Sequence, residues 1–136
     1  MAKRRGRKSV DRSRYREYVR VAEHFHDAAR DSLELEYWTG AGVLIVHSAI
    51  AYADALCIQQ SGQKNVGASH EETIVLLESV IASSEETRAA LNQLRRIIEE
   101  KTKVSYLGEL YTPEQTKDLW KRLERFRLWA MRTLER

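Results

Sequence analysis

Lys101 and Tyr106, in the run LRRIIEEKTKVSYLGELY, are the residues of this 136-residue chain whose types and spacing best suit chemistry on an anion. Lys101 lies seven residues beyond Leu94, so on a continuous helix it shares a face with Leu94, Ile97 and Ile98 and aims a cation at the packed side. Tyr106 stands five residues further on, near the helix exit, where its phenol reaches the same groove if the chain turns back at Gly108. A cation beside a phenol suits a phosphate. A lysine in the last turn of a helix is also favoured by the helix dipole alone, so both readings stand at this point. Arg95 and Arg96 add positive charge nearby.

The histidines offer less. His24 and His26 are two residues apart on a predicted helix, which turns them about 200° from each other and prevents them from gripping one metal from one face; no metal site is expected. His47 and Asp54 sit in GAGVLIVHSAIAYADALC, a helix apolar nearly all round. Two turns separate them, roughly 10 Å along the axis, too far for a direct hydrogen bond. Each is expected to bond a neighbouring element as a structural polar group. His70 follows Ser69 at a helix start, where a capping contact is the simple reading. No nucleophile elbow, phosphate-binding glycine loop, dinucleotide fingerprint or paired-cysteine motif occurs, and no cofactor is expected.

These residues must be positioned by helices, since apolar residues recur at spacings of three and four and nothing alternates like a half-buried strand. A first helix is predicted from Asp11 or Ser13 to about Glu36, with its stripe on Tyr15, Tyr18, Val21, Ala22, Phe25, Ala28, Ala29 and Leu33. A second runs from about Ala41 to Gln60, beyond the break at Tyr37, Trp38 and Gly40. Ser69 with Glu72 and Ser83 with Glu86 have the spacing of capping boxes and open the third and fourth helices. Thr112, Pro113 and Gln115 open the last, which carries Leu119, Leu123, Phe126, Ala130 and Leu134 inward and Lys117, Lys121, Arg125 and Arg132 on another face.

The net charge of +3 conceals a segregation. Residues 1–20 hold nine Lys or Arg against Asp11 and Glu17, and residues 117–136 hold seven against three acids, so both ends are basic around an acidic middle. Lys3, Arg4, Arg5, Arg7 and Lys8 are expected to form a loosely held arm over residues 1–12, suited to phosphates, ahead of a single helical domain over residues 13–136. The alternative is a solubilising tail. One cysteine, Cys57, excludes an internal disulfide and fits a reducing, cytoplasmic setting. No apolar run is expected to span a membrane, which needs about 20 residues, and the charged N-terminus lacks the apolar segment of an export signal.

The order of a long first helix, the AGVLIVHSAIAYADALC helix, ASHEETIVLLES, LRRIIEEKTKVSYLGELYTPEQ and a final amphipathic helix resembles small HEPN-domain proteins over residues 14–134. The resemblance implies a helical bundle that dimerises. It also implies RNA-directed work in toxin, defence or RNA-processing systems, often beside a nucleotidyltransferase partner. The family's active RNases carry an Arg followed four to six residues later by a His. Here Lys101 takes the Arg position and Tyr106 the His position, and a phenol with a pKa of about 10 is a poor base where an imidazole titrates near 6.5. The expectation is therefore an all-α, HEPN-like up-and-down bundle of about five helices. As a homodimer it would bind RNA or a nucleotide-bearing partner without efficient cleavage. A protein-binding adaptor or antitoxin-like subunit, and a divergent metal-independent RNase, are the alternatives.

Overall fold

The computed structural model describes residues 6–107 and 110–136, with side chains throughout except at 102–107. Five helices carry the chain: α1 (Tyr15–Glu34), α2 (Trp38–Ser61), α3 (Glu71–Val80), α4 (Glu85–Leu107) and α5 (Pro113–Glu135). Two three-residue strands, β1 (Arg7–Ser9) and β2 (Gln63–Asn65), pair antiparallel with Lys8 opposite Lys64. The fold is an all-α bundle, as the periodicity indicates.

Long-range hydrogen bonds fix the directions. Arg12 Nε donates to the Gln59 carbonyl at 2.7 Å and Ser48 Oγ to the Ala22 carbonyl at 2.8 Å, so α1 and α2 run oppositely. Thr116 Oγ1 donates to the Trp38 carbonyl and Gln59 Nε2 to the Leu134 carbonyl, so α5 runs with α2. Arg122 donates to Gln93, and the Tyr111 hydroxyl to the Glu100 carbonyl, setting α4 against α5. The four long helices thus alternate in direction, and the short α3 crosses between α2 and α4.

α2 is the axis of this bundle and touches the other four helices. Its many Ala, Gly and Ser residues let neighbours approach closely; Ala41, Ala49, Ala53 and Ala55 are fully buried beside Ile45, Tyr52 and Leu56. Burying each large apolar side chain of this kind contributes about 1.5–3 kcal/mol. Contrary to the sequence expectation, α2 is long and apolar enough to cross a membrane by length and composition, yet most of it is covered by the rest of the bundle. It ends at Gly62, whose φ of 68° suits glycine and whose carbonyl receives the Val10 N–H at 2.8 Å.

That bond begins a second departure. β1 docks on β2, so Arg7 and Lys8 belong to a strand pair and not to an unattached arm. The helix starts also differ in detail. At α5 the capping box of Thr112 and Gln115 forms in both directions. At α4 the cap is Ser84, whose Oγ accepts from Thr87 N–H at 3.0 Å, one residue later than expected. At α3 the Ser69 Oγ takes the N–H of Glu71, while Asn65 Nδ2 bonds the Ser69 carbonyl and Thr73 Oγ1 and tightens the turn.

Candidate functional site

Lys101 emerges from the fifth turn of α4 on the face that Leu94, Ile97 and Ile98 bury, as its spacing requires. The residue it meets is His70, immediately before α3: Lys101 Nζ stands 2.7 Å from His70 Nε2. An ammonium only donates, so Nε2 is the bare, accepting nitrogen of a neutral ring whose proton sits on Nδ1. Partial burial, then the charges of Lys101, His47 and Lys64, hold the His70 pKa below its ordinary value. His70 thus brings an imidazole from another element to the lysine of α4.

His47 is the third member. It is exposed and not the buried pin expected of it, because Gly40, Val43 and His47 form the stripe of α2 that reaches the surface. Its ring tilts against Phe25 at 5.4 Å between centroids. Partial desolvation and Lys101 lower its pKa too. Lys64 on β2 completes the group, reaching back to Asp54 Oδ2 at 3.8 Å and lying 6.0 Å from the Tyr18 ring centroid. Asp54 is buried as expected, and desolvation pushes its carboxyl up to about 6 against the opposing pull of Lys64. The cluster therefore sets Lys101 beside two imidazoles whose pKa values are lowered, with Lys64 paired to the Asp54 carboxyl. Each imidazole can accept a proton or donate a hydrogen bond.

The other sequence candidates are distributed differently. Arg96 is exposed and lines the α4–α5 cleft with Glu99, Glu100 and Asp118, so it does not reinforce Lys101. Arg95 is half-buried, six residues and about 240° around α4 from Lys101. Arg7 and Lys8 are held by the strand pair, Arg7 opposite Asn65 and Lys8 opposite Lys64. Lys3, Arg4 and Arg5, and the side chain of Tyr106, lie outside the described residues. Sequence reading missed Lys64 and His70 as members. The available signal was that both fall within the segment holding His47 and Asp54, next to a helix start whose backbone N–H groups favour negative charge.

A second polar cluster joins α1 to α5. His26 is buried and stacked on Trp120 at 4.9 Å, with Nε2 2.6 Å from Glu124 and Nδ1 3.1 Å from Asp27. Arg127 donates to both oxygens of Glu23 and to the hydroxyl of the fully buried Tyr52. Glu23, His26 and Asp27 lie close enough to share a cation. The guanidinium of Arg127 already occupies the Glu23 carboxylate, and the His26 nitrogens already face carboxylates, so the cluster is a cross-helix tie. Comparison of the chain with protein-family models, with curated proteins and with solved structures finds no match to any of them.

Proposed function

We propose that this chain is a HEPN-like bundle that binds RNA or another nucleotide-bearing ligand through its phosphate, with Lys101, His70, His47 and Lys64 as the anion site. The observation that carries the reading is the 2.7 Å contact between Lys101 and His70. It supports the reading because Lys101 takes the position that the resemblance gives to the phosphate-binding Arg, and His70 adds an imidazole beside it. A bound phosphate would accept from Lys101 and, by its charge, draw a proton onto an imidazole whose pKa is now depressed. Lys8, paired opposite Lys64 and on the same face of the strand pair, adds positive charge beside it. The homodimer, the nucleotidyltransferase-type partner and the cytoplasmic toxin–antitoxin or defence setting belong to the same proposal and rest on the resemblance.

Cleavage is the second reading, and one observation favours it: an imidazole, His70, contacts Lys101, and the charge of Lys101 also acts on His47, where the sequence of α4 alone offers only a phenol. In transesterification, one neutral imidazole would take the proton of an RNA 2′-hydroxyl as its oxygen bonds to phosphorus. A protonated one would give a proton to the departing 5′-oxygen, while Lys101 holds the charge of the transition state.

Anisotropy of a labelled single-stranded oligoribonucleotide, read alongside its integrity on a gel, tests both. Binding at low salt should weaken at least about tenfold in Lys101→Ala, with the slope of log affinity against log salt reduced by about 0.7 for one lost phosphate contact. No binding by the intact chain at low salt, or Lys101→Ala and His70→Ala variants that bind as tightly as the parent, would contradict the proposal. Cleavage by the parent chain that both variants lose would establish the second reading over the first.

A further inference from the structure

The α4–α5 face carries a hollow that the anion site does not use. Ala89 and Ala90 on α4 and Trp129 on α5 line a cleft of about 210 Å³, with Arg125 and Arg132 on one wall and Glu86 on the other. Both arginines are exposed, and among the described residues neither makes an ion pair or a hydrogen bond. This contrasts with Arg122 and Arg127 on the same helix, which pair with Asp118 and Glu23. Leu128, 59 % exposed, stands between the two arginines in sequence and adds apolar surface beside the cleft.

The dimensions select the occupant. The volume is below the ~300–1,000 Å³ of small-molecule pockets and suits one large side chain. The two guanidinium groups leave α5 seven residues apart, about 10 Å along the axis, one on each side of Trp129. A second helix laid in the cleft repeats that interval when an apolar residue has a carboxylate four residues before it and another three residues after it. A nucleic-acid strand fits less well. It brings charge at every nucleotide and needs an open stacking platform, whereas Trp129 is only 5 % exposed.

We propose that the cleft between the first half of α4 and the second half of α5 docks an acidic amphipathic helix of a partner protein. One apolar side chain of that helix seats against Ala90 and Trp129, and its flanking carboxylates pair with Arg125 and Arg132. Buried apolar anchors ringed by arginine contacts are the usual carriers of interface energy. None of the residues that line the cleft belongs to the Lys101–His70 site, and the proposal stands independently of the RNA reading.

The test uses the full chain, labelled with nitrogen-15, and two synthetic helical peptides. One has a Leu anchor with Glu four before and three after it; its twin has Lys at both places. The Glu peptide should shift the Trp129 indole and the Arg125 and Arg132 side-chain signals saturably, and bind at least about tenfold more tightly than the Lys twin. The double variant Arg125→Glu, Arg132→Glu, which changes only exposed positions, should invert that preference. Several results would overturn the proposal: no saturable shift at millimolar Glu peptide, equal binding of the two peptides, or an unchanged preference in the variant. A single-stranded RNA that moves these signals when the Glu peptide does not would overturn it as well.

Discussion

Replacing Gly42 with alanine sets two physical effects of opposite sign against each other. In an ordinary helix interior the change stabilises by about 1 kcal/mol, because glycine loses more backbone freedom on folding. At Gly42 the added methyl would fall 2.1 and 2.2 Å from two carbons of the Tyr111 ring, which packs against the bare backbone. Tyr111 is buried, its hydroxyl donates to the Glu100 carbonyl at 3.0 Å, and its N–H donates to Thr39 Oγ1 at 3.1 Å. Evicting the ring forfeits the burial of an aromatic side chain, about 1.5–3 kcal/mol, and a hydrogen bond worth about 1 kcal/mol. Set against the helix-propensity gain, Gly42→Ala should destabilise the chain by about 1.5–3 kcal/mol. At roughly 3–5 °C per kcal/mol for a domain of this size, the Tm should fall by about 5–15 °C. Urea unfolding followed by circular dichroism measures this, and a cycle with Tyr111→Ala isolates its cause. On the Tyr111→Ala background, Gly42→Ala should be neutral or stabilising. A Gly42→Ala variant more stable than the parent, or a penalty that survives removal of the ring, would refute the reasoning. The consequence reaches the site, since Tyr111 is what ties the loop after α4 to the residue preceding Lys101.

Asp54→Asn tests the buried carboxyl beneath Lys64. The folded pKa is raised to about 6. This group's stabilising contribution is therefore complete below its unfolded value of about 3.9 and is lost as pH rises through the folded value. The stability of the parent relative to Asp54→Asn should accordingly fall by on the order of 2–3 kcal/mol between pH 4 and pH 7. The histidines His47 and His70, whose lowered values act in the opposite sense, are common to both chains, and a difference that does not vary with pH would count against the burial of Asp54 as the cause. Ser84→Ala should cost about 1 kcal/mol in chemical denaturation through loss of the α4 cap, and Ser83→Ala almost nothing; equal effects would remove the assignment.

Much of the fold was legible because helix signals are local. The α5 start could be read residue by residue, since Thr112, Pro113 and Gln115 act on backbone groups within one turn. At α4 the sequence Ser-Ser-Glu-Glu-Thr offers two registers, Ser83 with Glu86 or Ser84 with Thr87, and packing of the half-turn chose the second. The exposure of His47 was hidden because α2 is apolar on every side, so no stripe marks which face is left uncovered. The strand pair was hidden for another reason. Three-residue strands of polar character carry no alternation to detect, and β1 meets β2 only after α1 and α2 have folded back on each other. The site was half legible. The direction of Lys101 followed from its spacing to Leu94, but its partner His70 is 31 residues away on another element, a pairing that only the crossing of α3 between α2 and α4 creates.

The most direct measurement on the site is side-chain nitrogen NMR of the histidines in the full chain, titrated in pH with and without a short single-stranded oligoribonucleotide at low salt. If His70, His47 and Lys101 hold a phosphate, RNA will shift the His70 ring resonances and raise its titration midpoint, because the bound anion favours the imidazolium. Lys101→Ala will weaken that response. His70 and His47 signals that titrate identically with and without saturating RNA would contradict the assignment of this cluster as the phosphate site.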